Sequence, residues 1–277
     1  MKLSKEWQII RAIIRRNTKM FFSYRISVLV TILWPIPILA LNIYQYLGLG
    51  PPETLAGVIG KEYGIVSLSG MVIIGTIIYL LYNRLLWGTG ASMQSERWMG
   101  TIDVLFLTPA SRMSILLGNG VSSLIEGSWW ICGVFILSWF LFGIGITIVS
   151  LPALIITLIS TMLALISLGV FFASFFILTR AAEQVAISLQ APIRYFAGVA
   201  FPVSALPQFL QFISYILPIT YGIQALRKTV LTGATLPNLL GELSLLYLFA
   251  GVLLFLGYCM LRIMENKAKK DGSLYQY

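Results

Sequence analysis

Long uninterrupted apolar runs are the feature of this sequence that most limits what it can fold into. Runs close to or above the roughly 20 residues that cross a bilayer as a helix recur along the whole chain. Hydrophobic residues make up 58% of the 277 residues and charged residues only 10%, whereas a soluble domain carries about 25% charged residues. Because the runs are continuous and do not alternate with polar residues, they predict helices and not the strands of a barrel. The sequence therefore predicts an all-α, polytopic membrane protein.

Six membrane spans are predicted within a single membrane domain of residues 1–277, at residues 26–47, 64–87, 113–142, 151–178, 184–201 and 240–261. The segment 202–239 is also apolar, but Pro202, Pro207, Pro218 and Pro237 interrupt it. Because proline breaks helices, we expect this segment to form short re-entrant helices at the outer face, before the last span.

Basic residues near the predicted span ends indicate the orientation in the membrane. They are concentrated in the two tails, whereas Lys61 is alone between the first two spans and the Arg227–Lys228 pair is the exception. Since cytoplasmic flanks carry the excess of lysine and arginine, both termini are expected in the cytoplasm of a multi-pass plasma-membrane protein. Attraction to the anionic lipid bilayer accounts for the net charge of +9 without nucleic acid as a partner.

Residues 1–25 are predicted to form an interfacial amphipathic helix. Its apolar face consists of Trp7, Ile10, Ile13, Ile14, Phe21 and Tyr24, and its basic face of Arg11, Arg15, Arg16 and Lys19. Two roles remain open for it: an anchor on the lipid surface, or a gate or docking element for a partner.

The sequence offers no residues for covalent catalysis. It has no histidine, no P-loop, no nucleophile elbow and no metal-ligand cluster, and Cys132 and Cys259 lie in apolar runs as expected of packing residues. No catalytic residues, metal ligands or bound cofactor are therefore predicted, and the energy for any transport would come from a partner or from ion coupling. Glu126 is the one acid deep within a predicted span, and helix rise places Arg194 at a similar depth. We predict that these two residues line a polar translocation path, either as a pair or separately.

The loop 94–110 is predicted to form a short cytoplasmic helix. Trp98, Ile102, Leu105 and Phe106 share one face, Pro109 ends the helix, and Ser111 suits the N-cap of the next span. A short helix held between two spans can act as a lever, because a force on it tilts both of them. The alternative is an ordinary amphipathic helix that lies in the membrane interface.

Several short motifs resemble the type-two ATP-binding-cassette (ABC) exporter permeases, which export drugs, nodulation factors and polysaccharides. In the loop they are Glu96-Arg97, Gly100-Thr101, Leu107-Thr108-Pro109 and Ser111-Arg112. Near the fifth span they are Pro202, Leu206-Pro207, Leu217-Pro218, Tyr221 and Ala225-Leu226-Arg227. Span number, chain length and the N-terminal helix agree with the same family, so the resemblance covers essentially the whole chain.

The resemblance implies a permease subunit with no ATPase site of its own. Two permeases, identical or homologous, would form the path, and two copies of a cytoplasmic ATPase subunit would bind ATP and Mg²⁺. The loop would be the coupling helix that docks on the ATPase through Glu96, Arg97, Gly100, Thr101 and Asp103, and the mechanism would be alternating access. This sequence differs from many members at Trp98-Met99, where they carry further charged residues. A membrane scaffold or sensor that docks a partner without transport, and an ion-coupled carrier, are the alternative functions. The substrate is not predicted.

Overall fold

The described part of the chain is entirely helical. The structure is a computed structural model that describes residues 2–47, 68–100, 108, 110–142, 150–176 and 182–271. The longer helices are α1 (Lys2–Ser23), α2 (Arg25–Leu33), α3 (Pro35–Leu47), α4 (Leu68–Leu85), α5 (Ser92–Trp98), α6 (Arg112–Phe142), α7 (Leu151–Phe176), α8 (Ala182–Phe196), α9 (Gln208–Ile216), α10 (Pro218–Leu231) and α11 (Leu240–Asp271). A π-helix (Leu86–Gly90) joins α4 to α5, and short 3₁₀ turns are formed by Val203–Ala205 and Leu236–Leu239.

Among the described residues, three helices are long and apolar enough to cross a membrane: Gly70–Gly90, Leu151–Phe176 and Leu236–Ile263. Two further pairs qualify if each bent pair is one span. In the first pair, Lys5–Ser23 meets Val28–Asn42 at 89°, and in the second, Gln208–Ile216 meets Pro218–Leu231 at 93°. The chain is thus a polytopic helical membrane protein, and the six-span arrangement stays a prediction.

The third predicted span corresponds to α6, a long helix that carries several buried polar side chains. Its 31 residues extend about 46 Å at about 1.5 Å per residue, more than the roughly 30 Å of a hydrocarbon core. Asn119, Ser122, Ser123 and Glu126 are all buried along it. These polar side chains face neighbouring helices of the same chain, so α6 carries more polar residues than a helix surrounded by lipid.

The fifth predicted span is shorter in the structure than the predicted residues 184–201. Helix α8 has 15 residues and is therefore about 22 Å long, which is less than the hydrocarbon thickness. It contains Pro192 and is followed by Gly198 with a positive φ of 76°. A left-handed glycine ends a helix, so the apolar run continues beyond Phe196 without continuing the helix.

The centre of the bundle is α7, which packs against α10, α11, the π-helix and α6. Helix α4 lies between α6 and α10, and most of the side chains of α10 are buried. The bend between α9 and α10 falls at Pro218, the first residue of α10. Short broken helices in the segment 202–239 agree with the predicted break-up by prolines, and their placement at the outer face remains a prediction.

The N-terminal helix α1 runs beside α6 in the same direction. Its contacts follow the same order along both helices: Glu6 with Ser111 and Ser114, Ile13 with Gly118, Asn17 with Asn119 and Ser122, and Phe22 with Trp129. Ile9 and Ile13 pack against the main core, while Arg11, Arg15 and Lys19 stay exposed. A helix is therefore present in the predicted segment, and Ile13 of its apolar face contacts protein while Trp7 and Tyr24 are exposed; its interfacial placement stays a prediction.

Candidate functional site

The predicted coupling segment begins as an extension of α4. The π-helix leads into α5, which ends at Trp98, and Gly100 follows with a φ of 67°. A glycine in the left-handed region just after a helix is a standard helix stop. Helix α5 therefore covers the start of the predicted 94–110 helix and ends before Gly100, whereas residues 101–107 and 109 of that prediction lie outside the described residues. Thr101 and Asp103 lie outside the described residues, and so does the side chain of Arg97.

The π-helix is closely packed between α6 and α7. A Cβ atom on Gly88 would lie 1.9 Å from the Ser123 hydroxyl oxygen on α6, and a Cβ atom on Gly169 of α7 would lie 3.1 Å from the Cβ atom of Thr89. Only glycine at these positions allows the helices to approach this closely. Because the base of the coupling segment contacts two long helices, a movement of α5 would be transmitted to α6 and α7.

The side chains at the tip of this segment are exposed, whereas Glu96 is not. Trp98 and Met99 are 64% and 61% exposed, but Glu96 is only 7% exposed. Its carboxylate accepts a hydrogen bond of 3.1 Å from the Arg16 guanidinium on α1. The resemblance implied that Glu96 contacts an ATPase, but in this structure the carboxylate already serves a contact within the chain.

Glu6 on α1 contacts the residues that follow the same loop. Its Oε2 atom accepts hydrogen bonds from the hydroxyls of Ser114, at 2.6 Å, and Ser111, at 2.9 Å. These bonds, from Ser114 first and Ser111 second, hold the pKa of the Glu6 carboxyl below its ordinary value. Ser111 also accepts a 3.1 Å hydrogen bond from the backbone N–H of Ser114, which confirms it as the N-cap of α6. A carboxylate beside a helix N-terminus is also favoured by the helix dipole.

One helix therefore holds both ends of the predicted coupling loop. Arg16 binds Glu96 near the start of the loop, and Glu6 binds Ser111 and Ser114 after it. One position beyond Arg16, the Asn17 amide donates 2.9 Å hydrogen bonds to Asn119 and Ser122. Sequence reasoning missed this polar seam, because a single sequence carries no signal for contacts across 80 or more positions.

The predicted pair of Glu126 and Arg194 does not form in this structure. Glu126 forms an ion pair with Arg84 on α4, and the Arg84 guanidinium lies 5.9 Å from the ring centroid of Trp130. Arg194 instead donates a hydrogen bond to the Asn42 side chain on α3. The sequence did contain a signal for the correct partner, because Arg84 is a cation inside the predicted second span.

A third arginine, Arg227, is buried where an exposed residue was expected. Only 1% of it is exposed, and its guanidinium donates to the carbonyl oxygens of Met71, at 3.0 Å, and Val199, at 2.9 Å. Gly75 makes room for this contact, since a Cβ atom there would lie 2.2 Å from the Val199 oxygen. Arg227 thus fastens α10 to α4 and to the loop after α8.

Comparison with known proteins identifies the family. No curated protein matches the chain. No group of three or more histidine, cysteine or acidic side chains within the described residues could hold a metal ion. The family model of the ABC-2 type transporter matches residues 8–231, which include the N-terminal helix, the loop and the broken helices α9 and α10. This match covers most of the 277 residues, so the chain belongs to the ABC-2 type transporter family, as a membrane-embedded permease.

Proposed function

We propose that this chain is one permease subunit of an ATP-driven exporter. A second permease, identical or homologous, completes the translocation path with it. Two copies of a cytoplasmic ATPase subunit bind ATP and Mg²⁺ and drive the cycle, and this chain carries no ATPase site. The family match supports the permease role, and the exposed tip of a segment continuous with α4 supports docking of the ATPase there.

The structure favours this proposal over an ion-coupled carrier. A proton or ion relay needs an intramembrane carboxylate that can change its charge during the cycle. Glu126 is the one acid deep within a predicted span, and it is paired with the guanidinium of Arg84. A carboxylate that joins two helices through an ion pair suits a structural role better than a relay.

Trp98 provides the direct test of docking. Trp98→Ser should abolish copurification of the cytoplasmic ATPase with the full-length chain, because a large exposed aromatic side chain is the typical anchor of a protein interface. Trp7→Ser is the matched control, since Trp7 is 65% exposed and Trp98 is 64% exposed. Normal copurification and substrate-stimulated hydrolysis in the Trp98→Ser variant would refute docking at this tip. A wild-type chain that never binds an ATPase would support the scaffold function instead.

The proposed orientation places both termini in the cytoplasm and the α9–α10 segment at the outer face. Thr229, which follows the Arg227–Lys228 pair, is only 1% exposed, so a cysteine there would not be accessible to a labelling reagent. Thr232, just beyond α10, is exposed and suits this experiment. In a variant with Cys132 and Cys259 replaced by serine, a cysteine at position 232 should react with an impermeant reagent in intact cells. A cysteine in place of Met99 should react only after permeabilisation. The reverse labelling pattern would invert the topology.

A further inference from the structure

Three arginines lie within or beside the membrane-embedded helices, and the groups that surround their charges differ. Arg84 is neutralised by Glu126. Arg227 is fully buried, and backbone carbonyl oxygens surround its guanidinium. Arg194 on α8 is partly buried, and its hydrogen-bonding partner, Asn42, is uncharged. Of these three cations, Arg194 alone combines solvent or lipid access with a charge that no carboxylate of the described residues offsets.

The guanidinium of Arg194 is nevertheless held in a defined position. The Asn42 side chain that accepts its hydrogen bond is itself buried and donates to the hydroxyl of Thr76, at 3.2 Å. The guanidinium carbon lies 5.9 Å from the ring centroid of Tyr79, and the Tyr79 hydroxyl donates to the Gln190 carbonyl oxygen, at 3.2 Å. Side chains from α3, α4 and α8 thus orient one cation, which is how binding sites are preorganised.

The two helices that carry Asn42 and Arg194 also expose apolar side chains. On α3, Leu41 and Tyr44 on either side of Asn42 are exposed, and on α8 the same holds for Ile187 and Tyr195. A charge without a counter-charge inside a membrane is energetically unfavourable. A ligand with one negative group and an apolar tail would offset this cost and cover the exposed side chains.

The carboxylates of a second copy are poor candidates for the missing counter-charge. Within the described residues, Glu126 and Glu242 form ion pairs with Arg84 and Lys228. Glu96 likewise pairs with Arg16, and Glu6 accepts two serine hydroxyls. Glu183, at the start of α8, is 11 positions from Arg194, about 16 Å along the helix. Of these five described acids, four are therefore already engaged within the chain, and a separate anionic molecule is the alternative to Glu183 of a second copy.

We propose that Arg194, oriented by Asn42 and Tyr79, binds the phosphate or carboxylate headgroup of an anionic amphiphile. Guanidinium groups suit this role because their planar N–H donors match two oxygens of such a headgroup at once. The binding site does not depend on the exporter function, but its assignment to an exported molecule rests on the proposed function. The same headgroup chemistry is also present in resident anionic lipids.

The test measures binding of dodecyl phosphate to the full-length chain in a neutral detergent, with dodecanol and inorganic phosphate as comparison probes. Dodecyl phosphate should raise the thermal unfolding midpoint in a saturable way, and the two comparison probes should not. Arg194→Gln should weaken the apparent affinity about tenfold or more, because it removes a charge-assisted hydrogen bond, and Arg194→Lys should retain part of it. Arg262→Gln is the matched control, since its guanidinium carbon also lies over a tyrosine ring, 5.1 Å from the Tyr258 centroid.

Equal affinity of the Arg194→Gln variant and the wild type would overturn the proposal. Absence of dodecyl phosphate binding, together with a changed oligomeric state in Arg194→Gln, would also overturn it in favour of a contact between copies.

Native mass spectrometry distinguishes the two sources of the headgroup. Anionic lipid that copurifies with the wild type and is lost in Arg194→Gln indicates a resident lipid. An empty site, with ATPase stimulation by dodecyl phosphate, indicates the exported molecule. The binding measurement needs no ATPase, so its failure is separate from failure of the proposed function.

Discussion

Replacing Arg227 with methionine should destabilise this protein more than any exposed substitution in it, by about 3 kcal/mol or more. Methionine fills a similar volume, so the loss comes from the three hydrogen bonds that the guanidinium donates to Met71 and Val199. The Val199 carbonyl oxygen would then be buried without this partner. Thermal unfolding of the purified chain in detergent would measure the effect, and Gly75→Ala should reproduce it, since a Cβ atom at position 75 would lie 2.7 Å from the guanidinium.

Lys228, the next residue, supplies the control for this prediction. Its ammonium forms an ion pair with Glu242, and its side chain is 40% exposed. Because exposed ion pairs contribute about 0–1 kcal/mol, Lys228→Met should change the unfolding midpoint little. If Arg227→Met unfolded at the same temperature as Lys228→Met, the buried guanidinium would not be the fastening point between α10 and α4.

Glu126→Gln should be the second most damaging change, because it leaves the charge of Arg84 unpaired between α4 and α6. Removing one partner of a buried ion pair typically costs about 3–5 kcal/mol, whereas replacing both can be nearly neutral. The double variant Arg84→Gln, Glu126→Gln should therefore recover much of the stability that either single variant loses. Thermal unfolding and the yield of folded protein would measure this, with Glu242→Gln as the control for a more exposed acid.

The double variant also tests which arginine is the partner. If Arg194→Gln rescued the Glu126→Gln variant and Arg84→Gln did not, the sequence-based pair would be restored and the pairing in this structure would be wrong. Failure of every double variant to recover stability would mean that Glu126 is not coupled to either arginine.

The apolar runs were sufficient to predict helices, but not where each helix lies relative to the membrane. A pair of Glu126 with Arg194 was one of two arrangements left open, because helix rise gave the two residues a similar depth. Helix α6 is longer than the bilayer is thick, so Glu126 reaches Arg84, which lies close to the end of α4. Helix rise gives a distance along one helix, and it gives neither the rotation of that helix nor its neighbours.

The loop motifs suggested which residues contact a partner, but not which of them are accessible. Trp98 and Met99, at the end of a short helix, are exposed, whereas the matched residue Glu96 is buried against Arg16. The burial of Glu96 depends on the packing of α1. The apolar spacing of α1 is the same whether that helix faces lipid or protein. The spacing therefore predicted the helix correctly while leaving its contact surface open.

Because α1 contacts residues near both ends of the predicted coupling loop, the length of α1 sets the spacing between these two contacts. Glu6 and Arg16 are ten positions apart, about 15 Å at the rise of an α-helix, and this length fixes the spacing of their two contacts along α1. One inserted or deleted residue between them would turn one contact by about 100° around the helix axis relative to the other. Length variation among relatives of this chain should consequently be suppressed between these two positions, even where the side chains between them are free to change.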